Sequence, residues 1–131
     1  MIYGIGVDVV EPARIERLLK RYGERFVHRV LSPGERHGYR GSSRPALYLA
    51  NRFAAKEAFS KAIGTGLRHP VTFHTVSVVS DDLGKPTFAF APVLARSVAE
   101  RGITAHHLSI SHEKSVACAF VILEKDGETT S

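Results

Sequence analysis

The sequence predicts an α+β fold, with helices packed on an antiparallel sheet in a single domain over residues 1–131. Three observations carry this. The chain opens on an apolar run of β character, "IYGIGVDVV". Residues 12–63 then read mostly as helix, broken at Gly23 and at the loop "GSSRP". The second half alternates short apolar strands with turns. With 131 residues and 44% apolar content, the chain suits one core and is too apolar for a disordered segment.

Residues 2–10 form the first strand. Tyr3, Ile5, Val7 and Val9 share one face, and Ile2, Gly4, Gly6, Asp8 and Val10 share the other. An unpaired carboxylate buried there is costly, so Asp8 needs a cation or donors. Strand glycines mark the close approach of a backbone or a ligand, and Asp8 is expected to look across an open space. Capping of the following helix is an alternative role for Asp8.

A helix runs from about Pro12 to a stop at Gly23, with Ile15, Leu18, Leu19 and Tyr22 facing inward. Arg14, Arg17 and Arg21 form a stripe beside that face. Arg25 extends it only if the helix continues past Gly23. Residues 24–31 read as a short helical turn. Ser32-Pro33-Gly34-Glu35 starts another short helix, with a capping serine, a first-turn proline and a glutamate at the third position. A long helix follows from about Arg44 to Ile63 and stops at Gly64.

Beyond it, Val71–Val79 alternates as a strand, 81–86 is a turn and Thr87–Ala91 is a strand. Pro92–Glu100 is a helix ending at Gly102. His107–Ser111 and Ser115–Leu123 form a hairpin with His112 at its turn. Residues 125–131 are polar and expected to fray. Cys118 lies in the apolar run 116–123 and is expected to be a small core residue.

A lone cysteine cannot form an internal disulfide. No apolar run reaches the roughly 20 residues that a bilayer requires. The N-terminus shows neither a basic lead nor a small-residue cleavage site, so a cytoplasmic protein is expected. The net charge of +5 suits nucleic acid, phosphorylated small molecules or an acidic protein. The absence of tryptophan and of basic–aromatic alternation argues against nucleic acid. No His/Cys spacing suggests zinc, and the seven histidines read as structural or solvated apart from His112.

The chemistry concentrates in "NRFAAKEAFSKAIGTG", residues 51–66. Glu57 and Lys61 lie one turn apart, about 40° from each other around the helix. They read either as an exposed ion pair or as part of a site. Alanines at 54, 55, 58 and 62 allow a helix to sit close to a sheet. Mg2+ takes one or two carboxylates plus waters and substrate phosphates, a role that Asp8 and Glu57 suit. Lys61 would neutralise a phosphate. "GTG" at 64–66 reads as a helix stop or as backbone donors to phosphate.

"GIGVDVVE" and "RFAAKEAFSKAIGTG" resemble the two signature motifs of the 4′-phosphopantetheinyl transferases. "GKP" at 84–86 and "SISH" at 109–112 fall in the expected order. Length and the early first motif are similar to the small, single-domain holo-acyl-carrier-protein synthase type. The resemblance implies the transferase fold and transfer of phosphopantetheine from coenzyme A to a serine of an acyl carrier protein. Adenosine 3′,5′-bisphosphate is the other product. It further implies Mg2+ (or Mn2+) on Asp8 and Glu57, with Lys61 on phosphate and Asp8, Glu57 and Lys61 as the catalytic set. The base is then Glu57 or a metal-bound water. Coenzyme A would be held by Lys61, Gly64, Arg52, Arg44, Pro86 and His112. Arg14, Arg17 and Arg21 would meet the acidic carrier protein. Glu11 would be a metal-side acid or a helix N-terminal acid. The resemblance also implies a homotrimer with sites at the subunit interfaces.

Overall fold

In the computed structural model, residues 1–127 are described, and the strand at Ile2–Val10 (β1) forms one edge of a three-stranded antiparallel sheet. Its neighbour is Val116–Lys125 (β5), which in turn pairs with Ile103–Glu113 (β4). The long helix Pro45–Ile63 (α4) lies on the inner face of this sheet.

That packing follows from small residues. A Cβ on Gly4 would stand 1.8 Å from the Ala62 carbonyl oxygen, and one on Gly6 1.9 Å from that of Ala58. The backbones of β1 and α4 therefore touch directly. Fully buried Ala117 and Ala119 keep β5 equally low beneath the helix. The glycines serve this backbone contact; the open space expected before Asp8 is filled by α4.

Pro12–Tyr22 (α1) ends at Gly23, whose φ of 58° is favourable for glycine, and Glu24–Val30 (α2) starts immediately after it. Arg25 thus belongs to a new helix. Pro33–Arg40 (α3) begins as expected: the Glu35 carboxylate accepts from the Ser32 N–H at 2.9 Å. Val76–Ser80 (β2) and Pro86–Phe90 (β3) form a two-stranded sheet, and Pro92–Glu100 (α5) leads into β4. The Phe59 ring of α4 meets Phe88 and Phe90 at 5.2 Å, joining this sheet to the core.

Further sequence expectations are corrected. Tyr22, expected to face inward, is 44% exposed at the last position of α1. Residues 71–75 are a turn rather than the start of a strand. The Thr75 hydroxyl donates to the Pro70 carbonyl at 2.6 Å, and the Thr72 N–H donates to Thr75 Oγ1 at 2.9 Å. Threonine side chains have captured backbone groups that a ladder would use. The last hairpin is longer than expected, so His112 lies within β4 opposite Ala117, with the turn at Lys114 and Ser115. Cys118 is only half-buried, because it points to the outer face of β5 with Val116 and Phe120. Lys125 ends β5, its N–H bonded to the Met1 carbonyl; of the tail expected to fray, 128–131 lies outside the described residues.

Candidate active site

Asp8, Glu57 and Lys61 converge where β1 meets α4. The Lys61 ammonium donates to Asp8 Oδ1 and to the Val7 carbonyl, each at 3.1 Å. Asp8 is mostly buried, its side chain 16% exposed, whereas Lys61 is half-exposed. The partner that the strand acid required is therefore Lys61, reaching down from the helix. Capping is not the role of Asp8: Glu11 occupies the cap position of α1. Glu57 has its carboxyl raised above the ordinary 4.5, first by partial burial and then by the Asp8 charge, against the pull of Lys61 and Arg14. The Asp8 charge thus burdens Glu57 even with Lys61 and Arg14 beside it.

This donor set fits Mg2+. The ion commonly takes two carboxylates and completes its shell with waters and substrate oxygens. Among the described residues no group of three or more His, Cys, Asp or Glu side chains gathers into a cage.

Arg14 lies close enough to Glu57 to lower its carboxyl, so α1 faces the site. Arg17 and Arg21 are exposed on the same helix, with the Arg21 guanidinium 5.3 Å from the Tyr22 ring centre. Beside Glu57 opens a cleft of about 510 Å³ lined by Leu18, Tyr22, Arg25, Phe26, Arg29, Phe53 and Phe73. Sequence reasoning gave Arg29 and the aromatic walls no role. The alternation of Arg with Phe and Val across residues 25–30 was the available signal.

The other expected coenzyme A residues do not join this group within one chain. Arg52 is five residues before Glu57, about 140° around the helix from it. Its guanidinium lies 3.5 Å from the Tyr48 ring centre and 3.5 Å from Glu35 Oε2, an ion pair without hydrogen-bond geometry. Arg44 caps the far end of α4 and is exposed. His112 is exposed on β4, with β5 between it and β1. Pro86 begins β3 and, with Lys85, lines a second cleft of about 390 Å³ that also includes Ser109, Ile110 and Phe120. The Gly64 and Gly66 amides both donate to the Ser60 carbonyl, at 3.1 and 3.2 Å, and close the end of α4.

A buried charge cluster that the sequence did not announce lies behind Glu57. Lys56 is fully buried, and burial lowers its ammonium to about 8 against the pull of Glu35. Its position amid Ala54, Ala55, Ala58 and Phe59 was the signal that it faces inward.

Comparison with known proteins gives the family. The family model described as 4′-phosphopantetheinyl transferase superfamily matches residues 4–121. The holo-[acyl-carrier-protein] synthase of Nitrosospira multiformis is 59% identical over 125 residues, covering 95% of this chain and all of that protein. Its counterpart from Nitrosomonas europaea is 58% identical with the same coverage. The crystal structure of the Neisseria meningitidis synthase superposes with a TM-score of 0.93 at 47% identity, covering 95% of this chain and 100% of that one. A Bacillus anthracis synthase in complex with CoA (3′,5′-ADP) gives 0.80 at 41% identity, covering 96% and 99%. The fold is that of a phosphopantetheinyl transferase. This chain belongs to the 4′-phosphopantetheinyl transferase superfamily, and within it to the small single-domain type.

Proposed function

We propose that this chain is a holo-acyl-carrier-protein synthase, transferring 4′-phosphopantetheine from coenzyme A to a serine hydroxyl of an apo acyl carrier protein. The carrying observation is the meeting of Asp8, Glu57 and Lys61 at the β1–α4 contact, in a chain so similar to named synthases. The serine oxygen forms a bond to the pantetheine-side phosphorus of coenzyme A. The bond from that phosphorus to the bridging oxygen breaks, and adenosine 3′,5′-bisphosphate leaves. Such a reaction needs alignment and neutralised oxygen charge more than covalent help.

Asp8 and Glu57 are the residues that would hold Mg2+, with Mn2+ as the alternative. When bound, the metal supplies positive charge to the pyrophosphate. Lys61 supplies a second positive charge from the half-exposed end of its reach. Glu57 is the side chain that would receive the serine proton. The 510 Å³ cleft beside it, apolar with a basic rim of Arg25 and Arg29, suits an acidic protein's loop and helix. Arg14, Arg17 and Arg21 extend that rim and would steer the encounter.

The remaining residues fit an assembly. Ile5, Val7 and Val9 of β1 and Val116 and Phe120 of β5 are exposed on the sheet face opposite α4, with Val9 60% and Phe120 42% accessible. Contiguous exposed apolar surface marks an interface. A homotrimer burying this face would bring one subunit's Asp8, Glu57 and Lys61 near another's Arg44, Arg52 or His112. Pro86 and Gly64 would line the remaining path of coenzyme A. A cytoplasmic setting accords with the single unpaired cysteine; no helix among the described residues is long and apolar enough to cross a membrane.

The test is the intact mass of an apo acyl carrier protein incubated with this protein, coenzyme A and Mg2+, beside an EDTA control. A gain of one phosphopantetheine, blocked by EDTA, is expected. No gain on several carrier proteins would overturn the assignment.

A further inference from the structure

Lys56 takes no part in the chemistry above, yet its ammonium has the most complete set of partners near the site. It donates to the Val30 carbonyl at 2.7 Å, to the Phe73 carbonyl at 2.7 Å and to the Glu35 carboxylate. An ammonium has three donors, and all three are used. Glu35 is held in turn. Its carboxylate accepts from the Ser32 N–H and hydroxyl at 2.9 and 3.1 Å and from the Val78 N–H at 2.8 Å. The ammonium is therefore anchored from α3 and β2 while it grips two other segments.

Those two segments form two of the walls of the 510 Å³ cleft. Val30 ends α2, which contributes Phe26 and Arg29 to the lining, and Phe73 is itself a lining residue stacked on Phe53 at 5.5 Å. Lys56 directly precedes Glu57 on α4, the third wall. We propose that Lys56 is a positioning residue whose buried ammonium fixes α2 and the 71–75 turn against α4, and thereby sets the shape of the acceptor cleft beside Glu57. This deepens the proposed function and rests on it for the nature of the acceptor. A buried ion pair is seldom worth more than the apolar side chains that could replace it. Methionine would fill the same volume. What the ammonium adds is a simultaneous tether to carbonyls 26 and 17 residues away in sequence.

Two variants separate a tether from a generic stabilising pair. Lys56→Met removes both carbonyl bonds, while Glu35 keeps Ser32, Val78 and nearby Arg52. Glu35→Gln removes the ion pair but leaves both carbonyl bonds in place. Both should lower the urea midpoint. In Lys56→Met the KM for apo acyl carrier protein should rise about tenfold or more, with the KM for coenzyme A within about twofold. In Glu35→Gln the carrier-protein KM should stay within about twofold of wild type. Equal carrier-protein KM values in the two variants, or an unchanged value in Lys56→Met, would overturn the proposal. If Lys56→Met does not fold, Lys56→Gln, which can remake one carbonyl bond, is read by the same criteria.

Amide exchange in the free protein gives a readout that needs no substrate. Residues 26–31 and 71–76 should exchange about tenfold faster in Lys56→Met than in Glu35→Gln. Should wild type transfer nothing to any carrier protein, the functional reading falls. The tether is then judged by exchange alone, and equal rates in the two variants would refute it.

Discussion

Replacing Gly6 by alanine tests whether backbone contact positions the proposed catalytic group. The new Cβ would stand 1.9 Å from the Ala58 carbonyl oxygen and 2.8 Å from the Ala62 nitrogen. Ordinary contact begins at 3.4 Å, so the strand and helix must separate by about 1.5 Å at this point. Every atom met is α4 backbone, and no rotamer change relieves the overlap. β1 is held by its pairing with β5, so the easier response is for α4 to lift. Glu57 and Lys61 flank Ala58 and Ala62 and would lift with it. Added in full to the 3.1 Å bonds from Lys61 to Asp8 and Val7, that shift takes them beyond hydrogen-bond reach. Overpacking costs about 1–3 kcal/mol, and the upper end is expected where backbone bears the strain. Misplacement of reacting groups by about 1 Å can cost about 100-fold in rate. Urea unfolding followed by circular dichroism gives the first quantity, and the rate of carrier-protein mass gain gives the second. Gly34→Ala is the control: its Cβ meets nothing within 4 Å, so a gain of about 0.5 kcal/mol is expected from the helix position. Less than about 1 kcal/mol lost in Gly6→Ala, with a rate within about threefold of wild type, would refute the reasoning.

Glu57→Gln should stabilise the protein in EDTA at neutral pH while abolishing transfer. The wild-type carboxyl is raised above 4.5, so between that value and its folded value the native state holds the extra proton and stability falls as pH rises. Urea midpoints across this window should drop less in the variant; an identical pH profile would show that Glu57 carries no such burden. Arg14→Glu with Arg21→Glu should weaken carrier-protein binding more than coenzyme A binding, and equal losses would remove the docking role. Phe120→Glu places a charge on the exposed apolar face and should shift the sedimentation coefficient from that of the proposed trimer to that of a monomer, with loss of transfer. A trimer that survives would put the interface elsewhere.

The residues legible in the sequence are those whose placement is local. Alternation put Asp8 on the face of Gly4 and Gly6, and helical spacing put Glu57 beside Lys61; both placements hold in the structure. What alternation could not say was which partner Asp8 would take, since Lys61 is 53 residues away. The 71–75 stretch misled for the opposite reason. Its alternation is that of a strand, but two threonines bond to nearby backbone and close a turn first. Lys56 was hidden because two of its partners are backbone carbonyls, which every residue carries and no sequence marks.

The same contact that makes the site also limits it. Gly4 and Gly6 bring α4 so near β1 that Lys61 reaches the strand while Glu57 stays beside Asp8. A helix pressed flat on one sheet face fills that face, and three of the basic residues expected at coenzyme A project elsewhere: Arg52 against Glu35, Arg44 from the helix start, His112 from β4. The opposite sheet face is left with valine, isoleucine and phenylalanine exposed. On the proposed site assignment, one packing decision therefore yields a catalytic corner apart from the residues proposed to hold coenzyme A, and an exposed apolar face. The proposed assembly through that face would answer both needs at once. This is why the Phe120→Glu variant reads on activity and assembly together: monomers that still transferred at the wild-type rate would mean that one chain holds a whole site.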